Sequence, residues 1–313
     1  RRAFVTVAIG DRDWALLPRG RHPYTYVLKR PEVTLSLAER MQPRCMAQFH
    51  SEALWTEGAE ALMADLRRWF ASSGTREVQS ERMNRVDWAF DVALPVADFQ
   101  PDHVLTRAVK DATWRSGGTV QTMQFGKGDI VLRIYDKVAE IEEQSGKVWL
   151  HDLWGRKEGV WRVEYQVRRE RLREAGISSL EDLRCLEGDL LSLLTSNHSS
   201  LRVPTGDSNR SRWPLHPMWR SIRKAVGDLG RQGLLRSYDP DTPLVYAEDR
   251  SLKSIMGMLK NIGCIRTLRM RRDDPVSLVE TLEWLSRTLP GRMPAALWDD
   301  EVSTRIEKRR FGV

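Results

Sequence analysis

Apolar and polar residues alternate along three stretches of this chain, and side chains of an extended strand point to opposite faces in turn. In residues 85–92, Val86, Trp88 and Phe90 oppose Arg85, Asp87, Ala89 and Asp91. In residues 131–137, Leu132 and Ile134 oppose Arg133, Tyr135 and Lys137. In residues 160–169, Trp161, Val163, Tyr165 and Val167 oppose Arg162, Glu164, Gln166 and Arg168. Each predicted strand therefore has one oily face and one polar face. The middle strand is the second arm of a predicted β-hairpin, because "GKGD" separates it from the alternating run "TVQTMQF" and glycine permits positive φ in the turn.

The rest of the chain is read around these strands. Short strands are expected at 24–29 and 45–50, followed by a long helix capped by Ser51, with Leu54, Ala59, Leu62, Leu66 and Phe70 near helical spacing. Residues 103–116 read as a helix, "VAEIEEQ" turns helical after the hairpin, and "SSLEDL" at 178–183 has the form of a capping box. Residues 197–214 are polar, contain glycine and proline, and lack periodicity, so a linker or flexible loop is expected there. Beyond it the pattern is mostly helical. The expected fold class is α+β: an antiparallel sheet with helices on one face and a polar catalytic face, followed by a smaller helical region. The expected boundaries are 1–195 for the α+β domain, 196–214 for the linker and 215–313 for the helical part.

Composition narrows the class. The chain has 313 residues, 41% hydrophobic and 30% charged, which suits a globular protein and argues against wholesale disorder. No apolar run reaches the ~18 residues of a membrane span, so no membrane partner is expected. No basic-then-apolar signal segment opens the sequence, and Cys45, Cys185 and Cys264 are scattered without a CxxC pair, so a reducing, cytoplasmic setting is expected. The net charge of +7 favours an anionic partner, nucleic acid before acidic membrane.

Candidate chemistry lies on the polar strand faces. A solvated sheet face is the ordinary explanation of alternation. These positions, however, supply acids, arginines, a tyrosine and a lysine, an inventory suited to a metal ion, a phosphate and a nucleophile. Asp87 and Asp91 are four residues apart on one strand, ~13 Å between Cα atoms, so one metal cannot bind both without a bulge. Asp87 with Glu164 is the favoured ligand pair for Mg²⁺ or Mn²⁺, and Asp91 falls outside it. The six histidines form no HxH or HExxH motif; His50 alone ends a predicted strand near enough to reach the site. No GxxxxGK[ST] loop or GxSxG elbow is present.

The run "RVDWAFD", then "MQFGKGDIVLRIYDKVAE", then "WRVEYQVRRERL" resembles the plasmid and phage replication initiation factors of the rolling-circle type, and the related relaxases that carry Arg-x-Tyr-Asp-Lys. The resemblance covers roughly residues 40–175. It implies an enzyme that nicks and rejoins one DNA strand through a transient 5′-phosphotyrosine with a divalent metal. It implies Tyr135 as nucleophile, in preference to Tyr165 on the oily face, and Asp87, Glu140 and Glu164 as matching acids. The implied partners are single-stranded or cruciform origin DNA, a host helicase and a second copy of the chain.

On this reading Arg133 or Arg162 takes up charge on the phosphate, and Lys137 lowers the cost of a Tyr135 phenolate. Arg85, Lys127, Arg162 and Arg168 are candidate DNA contacts. In the helical tail, Ile255, Met258, Leu259 and Ile262 fall at core-like spacing, and Lys253, Lys260, Arg266, Arg269, Arg271 and Arg272 fall outside, as a phosphate-tracking helix would require. A non-catalytic DNA-binding protein, or a nuclease that uses water, would share the scaffold without the covalent link.

Overall fold

The computed structural model describes residues 4–95, 97–231, 233, 242–292 and 295–311. The chain divides into two units, Arg1–Arg236 and Ser237–Val313.

The first unit contains two five-stranded antiparallel sheets. The first is a meander of β1 (Val5–Ile9), β2 (Arg12–Leu16), β3 (Tyr26–Lys29), β4 (Val33–Leu37) and β5 (Cys45–Phe49). Two helices follow, α1 (Ser51–Thr56) and α2 (Ala59–Ser72). The single long helix expected here is broken at Gly58, whose φ of 84° is left-handed and ends the first segment. Ser51 is the first helical residue and not the cap. Leu62, Leu66 and Trp69 of α2 are buried, and Trp69 packs against Trp14 of β2 with ring centroids 4.7 Å apart.

The second sheet has the order β6-β11-β10-β9-β8. Its strands are β6 (Arg85–Ala93), β8 (Asp111–Ser116), β9 (Thr119–Phe125), β10 (Ile130–Asp136) and β11 (Val160–Arg168). The hairpin β9–β10 forms as its pattern predicts. Gly126 sits at φ 91°, and a Cβ there would lie 2.4 Å from the carbonyl oxygen of Ile130, so the turn admits only glycine. The crossover from β10 to β11 carries the short helices α3 (Lys137–Glu140) and α4 (Trp149–Trp154).

Met123, Leu132, Ile134, Trp161, Val163, Tyr165 and Val167 turn their side chains to one buried core. Covering it are α5 (Arg169–Glu174), α6 (Leu180–Leu193) and α7 (Pro217–Gly227), through Leu172, Leu190, Leu191, Trp219 and Ile222. Ser179 and Asp182 form the capping box of α6.

Two expectations are corrected. Residues 103–116 are not a helix. They begin at the end of a 3₁₀ turn (Pro101–His103) and continue as strand β7 (Val104–Thr106), a connection, and edge strand β8. Backbone pairing with β9 outweighs a weak local preference, and Thr106, Val109 and Thr113 are β-branched residues that favour strands. The expected linker is also structured. Residues 199–201 form β12 (Ser199–Leu201), which pairs with β7, and all three are buried. Arg202 bridges to Leu215, and α7 then packs on the core. The boundary between the units accordingly falls at Arg236 and not near residue 195.

The second unit contains α8 (Thr242–Arg269), α9 (Leu278–Thr288) and α10 (Ala295–Phe311). Leu259, Val276 and Thr281 are buried where α8 meets α9. Ile255 and Met258, expected in this core, are 44% and 58% exposed. Among the described residues no helix is long and apolar enough to cross a membrane.

Leu201 separates the linker from the folded reading. It is fully buried, so Leu201→Ala should destabilise the first unit by about 2–5 kcal/mol in urea titration. A flexible loop would lose less than about 0.5 kcal/mol.

Candidate functional site

The register of the second sheet aligns the polar residues of β6, β11, β10 and β9 into rows. One row runs Asp91, Arg162, Tyr135, Thr122. The next runs Ala89, Glu164, Arg133, Gln124. Asp87 faces Gln166 in a third. The polar side chains of the strands therefore share a face, in rows across the sheet; Lys137, expected with them, instead opens α3 beyond the end of the ladder.

The face is not open to water as the strand pattern suggested. Tyr135, Arg162, Gln166 and Lys137 are buried, Arg133 and Glu164 keep 30% and 18% side-chain exposure, and only the Arg85–Asp87 end of the face is more open, at 45% and 35%. Burial is tolerable because nearly every charge is paired where it stands. Arg162 grips Asp91 with two hydrogen bonds of 2.6 and 2.7 Å, and the indole N–H of Trp154 in α4 donates to the same carboxylate at 3.0 Å. Burial opposes the Arg162 charge, but the hydrogen bond and field of Asp91 override it and raise the guanidinium pKa. Lys137 pairs with Glu140, which also accepts from Ser145 at 3.1 Å. Arg85 pairs with its strand neighbour Asp87, whose hydrogen bond and field raise the guanidinium pKa.

Most of the chemistry lies where Tyr135 of the first row meets Glu164 and Arg133 of the row beside it. The Tyr135 hydroxyl donates to Glu164 Oε2 at 2.9 Å. Arg133 Nη1 donates to Glu164 Oε1 at 3.0 Å, and Arg133 Nε donates to Gln124 Oε1 at 3.1 Å. Gln166 Oε1 accepts from the Arg133 fork at 3.4 Å. A hydroxyl, a carboxylate that can take its proton, and a cation that orients the carboxylate thus stand in sequence. That is the arrangement of an activated nucleophile.

Two details depart from expectation. The Tyr135 phenol is held above its ordinary pKa, first by burial and then by the negative charge of Glu164, with Arg162 pulling the other way. Lys137 does not relieve this. Burial pushes its own pKa down, its charge is engaged by Glu140, and its ammonium lies over the Tyr135 ring, 5.7 Å from the centroid. Arg162, bound by Asp91, is not placed to take phosphate; of the two expected arginines, only Arg133 is partly exposed.

The acids do not gather as metal ligands. Asp87, Asp91, Glu140 and Glu164 are each tied to a different cation. Among the described residues no group of three or more His, Cys, Asp or Glu could hold a metal ion. This donor set, as arranged, does not fit a divalent cation, which would have to displace a different arginine or lysine from each carboxylate. His50 is occupied elsewhere, with Nδ1 on the Pro31 carbonyl at 2.7 Å and Nε2 on Thr34 at 2.9 Å. Tyr165 is fully buried on the core face and donates to the Leu194 carbonyl at 3.0 Å.

The expected DNA contacts are dispersed. Lys127 lies at the hairpin turn and Arg168 at the end of β11, both exposed. In the second unit Lys253, Lys260, Arg269 and Arg271 are exposed. Arg266 instead stacks over Trp284 at 4.5 Å, and Arg272 pairs with Glu280 at 2.6 Å. Sequence reasoning missed Gln124 and Trp154, and placed Gln166 on the polar face without giving it a role. The hairpin turn length carries the signal for Gln124, because it fixes which residue of β9 faces Arg133.

The Asp91–Arg162 pair is open to test. Asp91→Ala strands a buried guanidinium and should cost about 3–5 kcal/mol, whereas Asp87→Ala at the more exposed pair should cost less than about 1 kcal/mol. Asp91→Leu combined with Arg162→Met should recover most of the loss in a chemical-denaturation series.

No family model and no curated protein matches this chain. Among solved structures it is similar to a rolling circle replication initiator protein from Geobacillus stearothermophilus, at 18% identity and a TM-score of 0.41, covering 71% of this chain and 84% of that chain. At that distance the likeness assigns no activity, and the α+β class rests on the strand order and helices described above.

Proposed function

We propose that this chain nicks and rejoins one strand of DNA by transesterification, with Tyr135 as the nucleophile and Glu164 as the base. The observation that carries the reading is the 2.9 Å hydrogen bond from the Tyr135 hydroxyl to a carboxylate that Arg133 holds in place. A tyrosine that only packs in a sheet needs no carboxylate from the next strand within hydrogen-bonding distance.

The chemistry follows from that geometry. The phenol is neutral at rest, because burial and Glu164 raise its pKa. Its proton must pass to Glu164 as the oxygen attacks phosphorus, which is general base catalysis and not use of a preformed phenolate. The Tyr135 oxygen forms a bond to phosphorus while the bond to the 3′ oxygen breaks. The departing 3′ oxygen takes up the proton that Glu164 received. The products are a 5′-phosphotyrosine and a free 3′-hydroxyl, and attack by that hydroxyl reverses every step. Arg133, the partly exposed cation paired with Glu164, binds the phosphate oxygens as their charge grows. No step is routed through a metal. The substrate is single-stranded or cruciform origin DNA, and the role is that of a replication initiator or relaxase.

The test is cleavage of labelled single-stranded origin oligonucleotides, resolved on a denaturing gel in the presence of Mg²⁺ or Mn²⁺. Tyr135→Phe should fold and bind as wild type but nick at background, and Glu164→Gln should slow nicking by about 10²–10⁴-fold. Wild-type cleavage by Tyr135→Phe would instead favour a nuclease that uses water. No cleavage by any variant, with DNA binding intact, would favour a plain DNA-binding protein.

The tail is expected to add backbone contacts. Neutralising Arg269 and Arg271 together should flatten the log-affinity against log-salt slope by about 0.7 to 0.9 for each phosphate no longer neutralised. An unchanged slope removes these residues from the DNA footprint.

A further inference from the structure

Trp114 stands at the end of the row that contains the nucleophile. It lies on edge strand β8, opposite Thr122 of β9, and Thr122 lies opposite Tyr135 of β10. Residues directly paired across a sheet share a face, so the Trp114 indole is on the Tyr135 side, two strand spacings or ~10 Å away.

Its surroundings leave the ring uncovered. Trp114 is 51% exposed, while Trp14, Trp69, Trp161 and Trp219 are buried. Its neighbours on the same face are small: Ala112 two residues back on β8, and Thr122 across the strand. Among the described residues no ring or cation stacks on it. The ladder also shifts register between Trp114 and Arg115. Such bulges re-aim side chains and concentrate beside active sites. Beyond the shift, Arg115 turns to Gln100 and the Gly118 carbonyl, so the irregularity separates an indole left free from an arginine that is engaged. A large exposed indole on an edge strand is otherwise a liability for aggregation.

We propose that Trp114 is a stacking platform for an unpaired base of the single-stranded DNA beside the phosphate that Tyr135 attacks. The proposal rests on the nicking reading and adds to it a reason for single-stranded substrate. A base can lie on an exposed indole only when it is free of its own stack, and such stacking tolerates any base. The platform holds the strand at a fixed distance from Tyr135, while Arg133 takes the phosphate.

The test is fluorescence-anisotropy binding of a labelled single-stranded oligonucleotide, with all variants in a Tyr135→Phe background so that cleavage does not interfere. Trp114→Ala and Trp114→Leu should weaken binding by about 5- to 150-fold, and Trp114→Phe should retain most of the affinity. The salt slope should not change, because the indole neutralises no phosphate, and affinity for duplex of the same sequence should stay level. Leu keeps apolar bulk without a ring, so equal affinity for Leu and wild type overturns stacking. So does an equal loss on duplex, or a Trp114→Ala variant that binds single strands normally. Self-association that disappears in Trp114→Ala, with DNA affinity unchanged, would assign the indole to a second copy and overturn the proposal. The two readings fail separately: wild-type nicking with Trp114→Ala binding intact removes only the platform. Single-strand binding that depends on Trp114, without nicking by the otherwise wild-type chain, removes only the transesterase.

Discussion

A charge on a buried sheet face has to be compensated by a neighbour that the strand register supplies, and the second sheet is organised around that requirement. Arg162 is opposite Asp91, and Arg133 is opposite Glu164. A register slip of one residue would turn every one of these groups onto the oily core and bring the core residues to the polar side. The ion pairs therefore depend on the same register that packs Leu132, Ile134, Val163 and Tyr165 against the helices. Packing and polar chemistry reinforce one another, and neither can be altered alone.

That coupling explains why Tyr135 stands out among the described tyrosines. Tyr165 is one position along β11 from Glu164 and points the other way, where its hydroxyl is satisfied by a backbone carbonyl. Tyr26 is on the first sheet and donates to the exposed Glu39. Tyr135 alone combines near-burial with a carboxylate partner and a neighbouring cation that still reaches solvent. The cost is a phenol that resists ionisation, so in the proposed reaction the proton acceptor, and not the nearby lysine, has to supply the reactivity.

Four strands of the second sheet, β6, β9, β10 and β11, were legible because alternation with period two is a strong local signal, and three of them carried it without interruption. The polar face was legible for the same reason, down to Arg133, Tyr135, Asp87 and Glu164. Its burial was not, because it depends on which acid meets which arginine. The pairing of β10 with β11 is set across a crossover of two short helices, where no turn rule fixes the register. Residues 103–116 and 199–201 were misread for a related cause: short segments take their conformation from partners far away in the chain, β9 for one and β7 for the other. Trp114 was hidden inside the first of these segments, so its place at the end of the Tyr135 row appeared only once β8 was seen to be a strand.

The central claim is that a covalent bond forms at one phenol. Peptide mass spectrometry after a denaturing quench of the wild-type chain with single-stranded origin DNA tests it most directly. The account predicts a nucleotide-bearing mass on the peptide that contains Tyr135, and none on the peptides that contain Tyr26 or Tyr165. Cleaved DNA with no modified peptide, or a modified peptide that contains a different tyrosine, would contradict it.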